Sequence, residues 1–81
     1  MKLLIVSPEH QESHIVEWIE VYTPSGSMVI KTGHAPMIVS IVSSKNVTFL
    51  LKTGELKTIS LERAGFLEIN RTSVTALLNQ K

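Results

Sequence analysis

The sequence predicts an all-β fold: a two-sheet antiparallel β-sandwich, or flattened barrel, of about eight to ten short strands. Three observations predict it. Segments rich in Val, Ile, Thr and Leu recur at roughly the 8–12-residue spacing of all-β domains. Pro-, Gly- and Ser-bearing stretches punctuate them. Several segments alternate apolar and polar residues with the period of two that marks a half-buried strand, and no stretch carries a convincing helical pattern. With 81 residues, 43% hydrophobic and 19% charged, the chain reads as one small globular domain over residues 1–81.

The elements follow in order. Lys2–Ser7 opens with a charge and an apolar run that stops after Val6. A secretory signal needs roughly 7–15 apolar residues, so this is a strand; no run approaches the ~20 residues of a membrane span. His10–His14 reads as a polar connection to the next strand, Ile15–Tyr22. There the apolar phase slips from Val16/Trp18 to Ile19/Val21, which reads as a β-bulge, although an edge strand with mixed faces would look similar. Pro24-Ser25-Gly26-Ser27 turns the chain into Met28–Ile30. Gly33-His34-Ala35-Pro36 turns it into Met37–Val42. Asn46–Lys52 alternates, with Val47, Phe49 and Leu51 on one face. Thr53-Gly54-Glu55 is a hairpin loop whose Gly can take a positive φ. Leu56–Leu61, Gly65–Asn70 and Ser73–Leu78 complete the set, the last with Val74, Ala76 and Leu78 on its inner face.

Composition narrows the chemistry. The chain has no Cys and no Asp; all seven acids are Glu. Disulfides, thiolate metal sites, EF-hand loops and a Ser-His-Asp triad are therefore excluded. A net charge of +1 and four aromatic residues are too little for a nucleic-acid platform. Residues 1–40 hold two Lys against four Glu, and residues 41–81 six basic residues against three Glu. Those imbalances read as ordinary solvated faces.

Few residues suggest a site. His10, Glu12 and His14 are metal-ligating types, but in a loop, and without the H-E-x-x-H spacing, they read as a polar connection. His34 reads equally well as a turn histidine or as a partner contact, since ordered loops on a rigid sheet often carry contacts. Trp18 reads as a core or sheet-face residue. Ser25, Ser27, Ser43 and Ser44 sit in no G-x-S-x-G elbow. The residues alone describe an interaction module without an active site, cofactor or metal.

At Gly33-His34-Ala35-Pro36-Met37-Ile38 the sequence resembles the N-terminal β-sandwich domain of the ATP synthase epsilon subunit, called delta in mitochondria. Two further anchors carry the resemblance: Val6-Ser7-Pro8-Glu9, and Ala64-Gly65-Phe66-Leu67-Glu68-Ile69 followed by Val74-Thr75-Ala76-Leu77. They fall in the family's order and cover essentially the whole chain.

The resemblance implies a non-catalytic rotor part, peripheral on the cytoplasmic face of the energy-transducing membrane and monomeric within its complex. It implies contacts to the gamma subunit through Ser7, Gly33, His34, Ala35 and Pro36, with Ser7 and the His34 turn on one side. It implies contacts to the c-ring through Ser25, Gly26 and Ser27. Departures are specific. Gly26-Ser27-Met28-Val29 lacks the acid the family carries before the His turn, Thr32 replaces a common Pro, and the first loop lacks an aromatic-x-Gly. After Lys81 nothing remains for the family's C-terminal helices, which leads us to expect a subunit without their restraint on ATP hydrolysis. The competing readings are an unrelated β-sandwich interaction module and a small metal enzyme built on His10, Glu12 and His14.

Overall fold

A computed structural model describes residues 1–42, 46–60 and 64–78. Among them are eight strands and no helix: β1 (Lys2–Ser7), β2 (His10–Thr23), β3 (Gly26–Lys31), β4 (Met37–Ile41), β5 (Asn46–Leu51), β6 (Leu56–Ser60), β7 (Gly65–Ile69) and β8 (Ser73–Leu78). Apart from the start of β2, the expected strand bounds hold to within two residues; Leu61, Ser43 and Ser44 lie outside the described residues. No described helix is long and apolar enough to cross a membrane.

The strands form one sheet in the order β4-β7-β8-β1-β2-β5-β6, with β3 on the other flank of β2. β2 folds this sheet into two layers. Its first half pairs with β1, from Ser7↔His10 to Lys2↔Ile15. Its second half lies between β3 and β5. The register on β5 shifts between Val16 and Trp18, so Glu17 is the bulged residue the phase slip predicts. The bulge lets Val16 and Ile19 both point inward although they are three positions apart, an odd spacing that regular alternation would put on opposite faces. A hydrogen bond from the Val42 N–H to the Tyr22 carbonyl (2.9 Å) ties the end of β4 to the second layer.

Alternation then builds the core. Leu3 and Ile5, Val47 and Phe49, Leu67 and Ile69, and Val74 and Ala76 all turn inward and are almost fully buried. Among the described residues, no polar or charged residue is buried with them. The predicted inner faces of β5 and β8 are therefore the real ones.

Two expectations are corrected. The sheets are not wholly antiparallel: β1 and β8 run parallel, Lys2 beside Ser73 through Val6 beside Leu77. A pairing of the first strand with the last has no short turn to announce it in sequence. His10–His14 is not a loop but the start of β2. Its polar residues occupy an end of the strand where water is available, and the neighbouring β1 backbone supplies their hydrogen-bond partners.

Candidate functional site

The same alternation that fills the core leaves a second apolar set on the outside of the first layer. Phe66 on β7 stands opposite Leu77 on β8, and Leu77 beside Val6 on β1. Ile38 on β4 lies one pair along the same face, opposite Glu68. Exposure is 68% for Ile38, 55% for Phe66 and 47% for Leu77. Isolated exposed apolar residues are common; residues joined across four neighbouring strands form a patch, and patches mark partner contacts.

At one end this face dips into a hollow of about 380 Å³ lined by Val6, Ser7, Pro8, Gly65, Phe66, Leu77 and Leu78. Gly65 makes it possible. A Cβ there would meet the Leu77 carbonyl oxygen at 2.5 Å, so β7 and β8 approach as they do only because the position has no side chain. Ser7 borders the hollow, its hydroxyl donating to the His10 carbonyl (3.0 Å) across the β1–β2 turn.

The His34 turn lies at the other end of the face. The Gly33 N–H donates to the Arg71 carbonyl (2.7 Å), which sets the turn beside the β7–β8 connection. The His34 N–H donates to the Lys31 carbonyl (3.2 Å). Gly33 takes φ +90°, a conformation open to glycine and costly for other residues. The imidazole is half-buried, and its Nδ1 lies 2.8 Å from the Ala35 carbonyl. A carbonyl only accepts, so Nδ1 carries the proton and Nε2 is the nitrogen left for other partners. Ala35 and Pro36 are exposed and lead directly into β4.

The structure thus does not gather Ser7 with the His34 turn. β1 runs from Lys2, beside the β7–β8 turn, to Ser7, roughly 16 Å away at ~3.3 Å per residue. They mark opposite ends of one face. Parallel pairing of β1 with β8 decides this, and that pairing is the feature the sequence did not announce.

Ser25, Gly26 and Ser27 form a separate exposed tip, the β2–β3 turn. Thr23 organises it: its Oγ1 accepts from the Ser25 N–H (3.1 Å) and donates to the Gly26 carbonyl (2.9 Å). Gly26 supplies φ +118°. Trp18 is a sheet-face residue, lining a shallow hollow of about 270 Å³ on the second layer with Glu20, Val29 and Lys31.

His10, Glu12 and His14 share one face of β2. Glu12 Oε2 is 3.3 Å from His14 Nε2 and 3.9 Å from His10 Nε2, and the His14 ring packs on Phe49 with centroids 5.2 Å apart. Four residues of extended chain hold the two histidine backbones about 13 Å apart, more than two imidazoles on one ion can span. Among the described residues, no group of three His or Glu side chains is placed to hold a metal.

The outer patch went unread in the sequence, yet a signal was there. Leu3-Leu4-Ile5-Val6, Met37-Ile38-Val39, Phe66-Leu67 and Leu77-Leu78 put apolar residues on both sides of a strand. A strand in an outer layer needs only one apolar face, so consecutive apolar residues indicate a second surface to be covered.

The family model described as ATP synthase, Delta/Epsilon chain, beta-sandwich domain matches residues 1–80. The chain belongs to that family. Among solved structures, one match is a chain of the Euglena gracilis mitochondrial ATP synthase, in a structure of OSCP, F1 and c-ring. It superposes with a TM-score of 0.79 at 19% identity, over 96% of this chain and 49% of that one. Another is a chain of the Tetrahymena thermophila mitochondrial ATP synthase central stalk and c-ring, with a TM-score of 0.79 at 15% identity, over 99% and 63%. At these identities the likeness is one of fold. The sequence thus spans about half to under two thirds of these solved chains. No curated protein matches it.

Proposed function

We propose that this domain is a non-catalytic part of the central stalk of an F-type ATP synthase. In this reading it joins the gamma subunit to the c-ring, on the cytoplasmic face of the membrane, and helps couple ion flow to ATP synthesis. Family membership supplies the class, and the apolar outer face of β4, β7, β8 and β1 is the observation that carries the role. A stalk part must be held by its partners through every rotation, and a stiff sheet with an exposed apolar face can dock while losing little entropy.

On this reading gamma covers the patch of Ile38, Phe66, Leu77 and Val6, with the hollow beside Ser7 receiving one of its apolar side chains. Ser7 and the turn Gly33-His34-Ala35-Pro36 then touch gamma at opposite ends of one interface. The exposed Ser25-Gly26-Ser27 tip is the proposed c-ring contact. It offers hydroxyls and backbone groups and no acid, so this contact is made by hydrogen bonds.

The test is a binding titration against a gamma–c-ring subcomplex. Phe66→Ser should fold like the parent and bind about 5- to 30-fold more weakly, as expected when a central apolar anchor worth ~1–2 kcal/mol is lost. Equal binding by the two would remove the patch from the interface. The absence of binding by the parent would reject the stalk role.

A further inference from the structure

Charge among the described residues is unevenly placed in the fold. At the His34 end, backbone hydrogen bonds link the connections into a collar. The Gly33 N–H reaches the Arg71 carbonyl, Lys2 N–H the Thr72 carbonyl, Val16 N–H the Met1 carbonyl, and Lys52 N–H the Ile15 carbonyl, at 2.7, 3.1, 2.8 and 3.0 Å. Lys31, paired with Trp18 where β3 ends, lies on the same rim.

Four of the five Lys and Arg among the described residues sit on this collar: Lys2, Lys31, Lys52 and Arg71; Lys57 alone lies elsewhere. All four are exposed. Three Glu lie nearby. Glu17, the bulged residue, is 4.0 Å from Lys52, Glu55 is in the adjacent turn, and Glu20 lines a shallow hollow with Lys31. The collar with these neighbours thus carries one net positive charge. The remaining described residues, with Lys57 against Glu9, Glu12 and Glu68, carry two net negative ones.

We infer that this collar is a basic docking surface for an acidic protein surface, a cluster of carboxylates on a neighbouring subunit. The inference rests on the stalk reading and names the chemistry of one of its contacts. Two physical points carry it. A net charge of this chain as small as +1 gives no general attraction to anions, so the collar acts by local complementarity. The hydrogen bonds also join three connections, the first residues of the chain and the middle of β2, so the cations are presented on braced backbone and docking orders only side chains. An acidic partner surface is favoured over a lipid surface because the cations ring an end of the molecule whose neighbouring face is the apolar patch, and a continuous interface covers both.

The experiment measures association of the chain with the gamma–c-ring subcomplex at low and moderate salt. Lys31→Glu with Arg71→Glu should slow association about tenfold at low salt, with much less difference at moderate salt, where charges are screened. Lys57→Glu, the reversal away from the collar, should associate at nearly the parent's rate. Thermal melts confirm folding; should the double reversal melt early, Lys31→Gln with Arg71→Gln replaces it, with a roughly threefold slowing expected.

Association unchanged by either pair overturns the inference and leaves the stalk reading standing. Failure of the parent to bind overturns the stalk reading and this inference with it. Binding of the parent to vesicles of equal parts phosphatidylcholine and cardiolipin, lost on charge reversal while association with the subcomplex is unaltered, assigns the collar to lipid and overturns the acidic-protein partner.

Discussion

Phe49 and Phe66 are one side chain in two settings. Phe49, on β5, is 1% exposed, closed between the layers and packed on the His14 ring. Phe66, on β7, is 55% exposed on the outer face. The interlayer core and the outer patch share apolar residue types and the same strand alternation, yet only the core can stabilise the isolated domain. Apolar area left in water contributes nothing until a partner covers it. The difference separates residues that fold the chain from residues that await an assembly.

The largest test of that difference is Phe49→Ala. Truncating it removes a fully enclosed ring and leaves a cavity, so denaturant unfolding should show a loss of about 3–5 kcal/mol. A loss below ~1 kcal/mol would mean the layers do not close over β5 as described.

Gly65→Ala probes the border of the two regions, since Gly65 is buried and also lines the outer hollow. The new methyl meets the Leu77 carbonyl, which is backbone and cannot swing aside. Overpacking of this kind should cost about 1–3 kcal/mol in the same measurement. A neutral result would show that β7 and β8 part readily and that the hollow is not a rigid feature.

His34→Ala should have the smallest effect on stability. The loop is held by the Gly33 and His34 backbone hydrogen bonds, which remain, and among the described residues the side chain bonds to its neighbouring Ala35 carbonyl. Thermal melts should show a change of about 0.5 kcal/mol or less. If the turn belongs to the gamma interface as proposed, the variant should still assemble poorly, losing about 1–2 kcal/mol of binding. Normal assembly would leave His34 as a turn residue, and early unfolding would place it with Phe49.

Much of the fold was legible in the sequence because strand faces are local. The Val47/Phe49/Leu51 and Val74/Ala76/Leu78 sets, the bulge at Glu17, and the positive φ of Gly26, Gly33 and Gly54 each follow from a few neighbouring residues. The three family anchors were likewise short and readable. The extension of β2 back to His10 was not, because polar residues at a strand end carry no apolar pattern.

By itself, then, the sequence determined an all-β chain, its turns, most of its inward faces and its family. Tertiary structure alone decided which distant segments lie together. Pairing β1 parallel to β8 sends Ser7 and His34 to opposite ends of one face and sets Val6 beside Leu77, across most of the chain length. The collar gathers Lys2 and Lys31 from the net-acidic half with Lys52 and Arg71 from the net-basic half, through hydrogen bonds between connections far apart in sequence. The physical reason is that side-chain alternation is dictated within a strand, whereas strand order is chosen by how a whole sheet closes over its core.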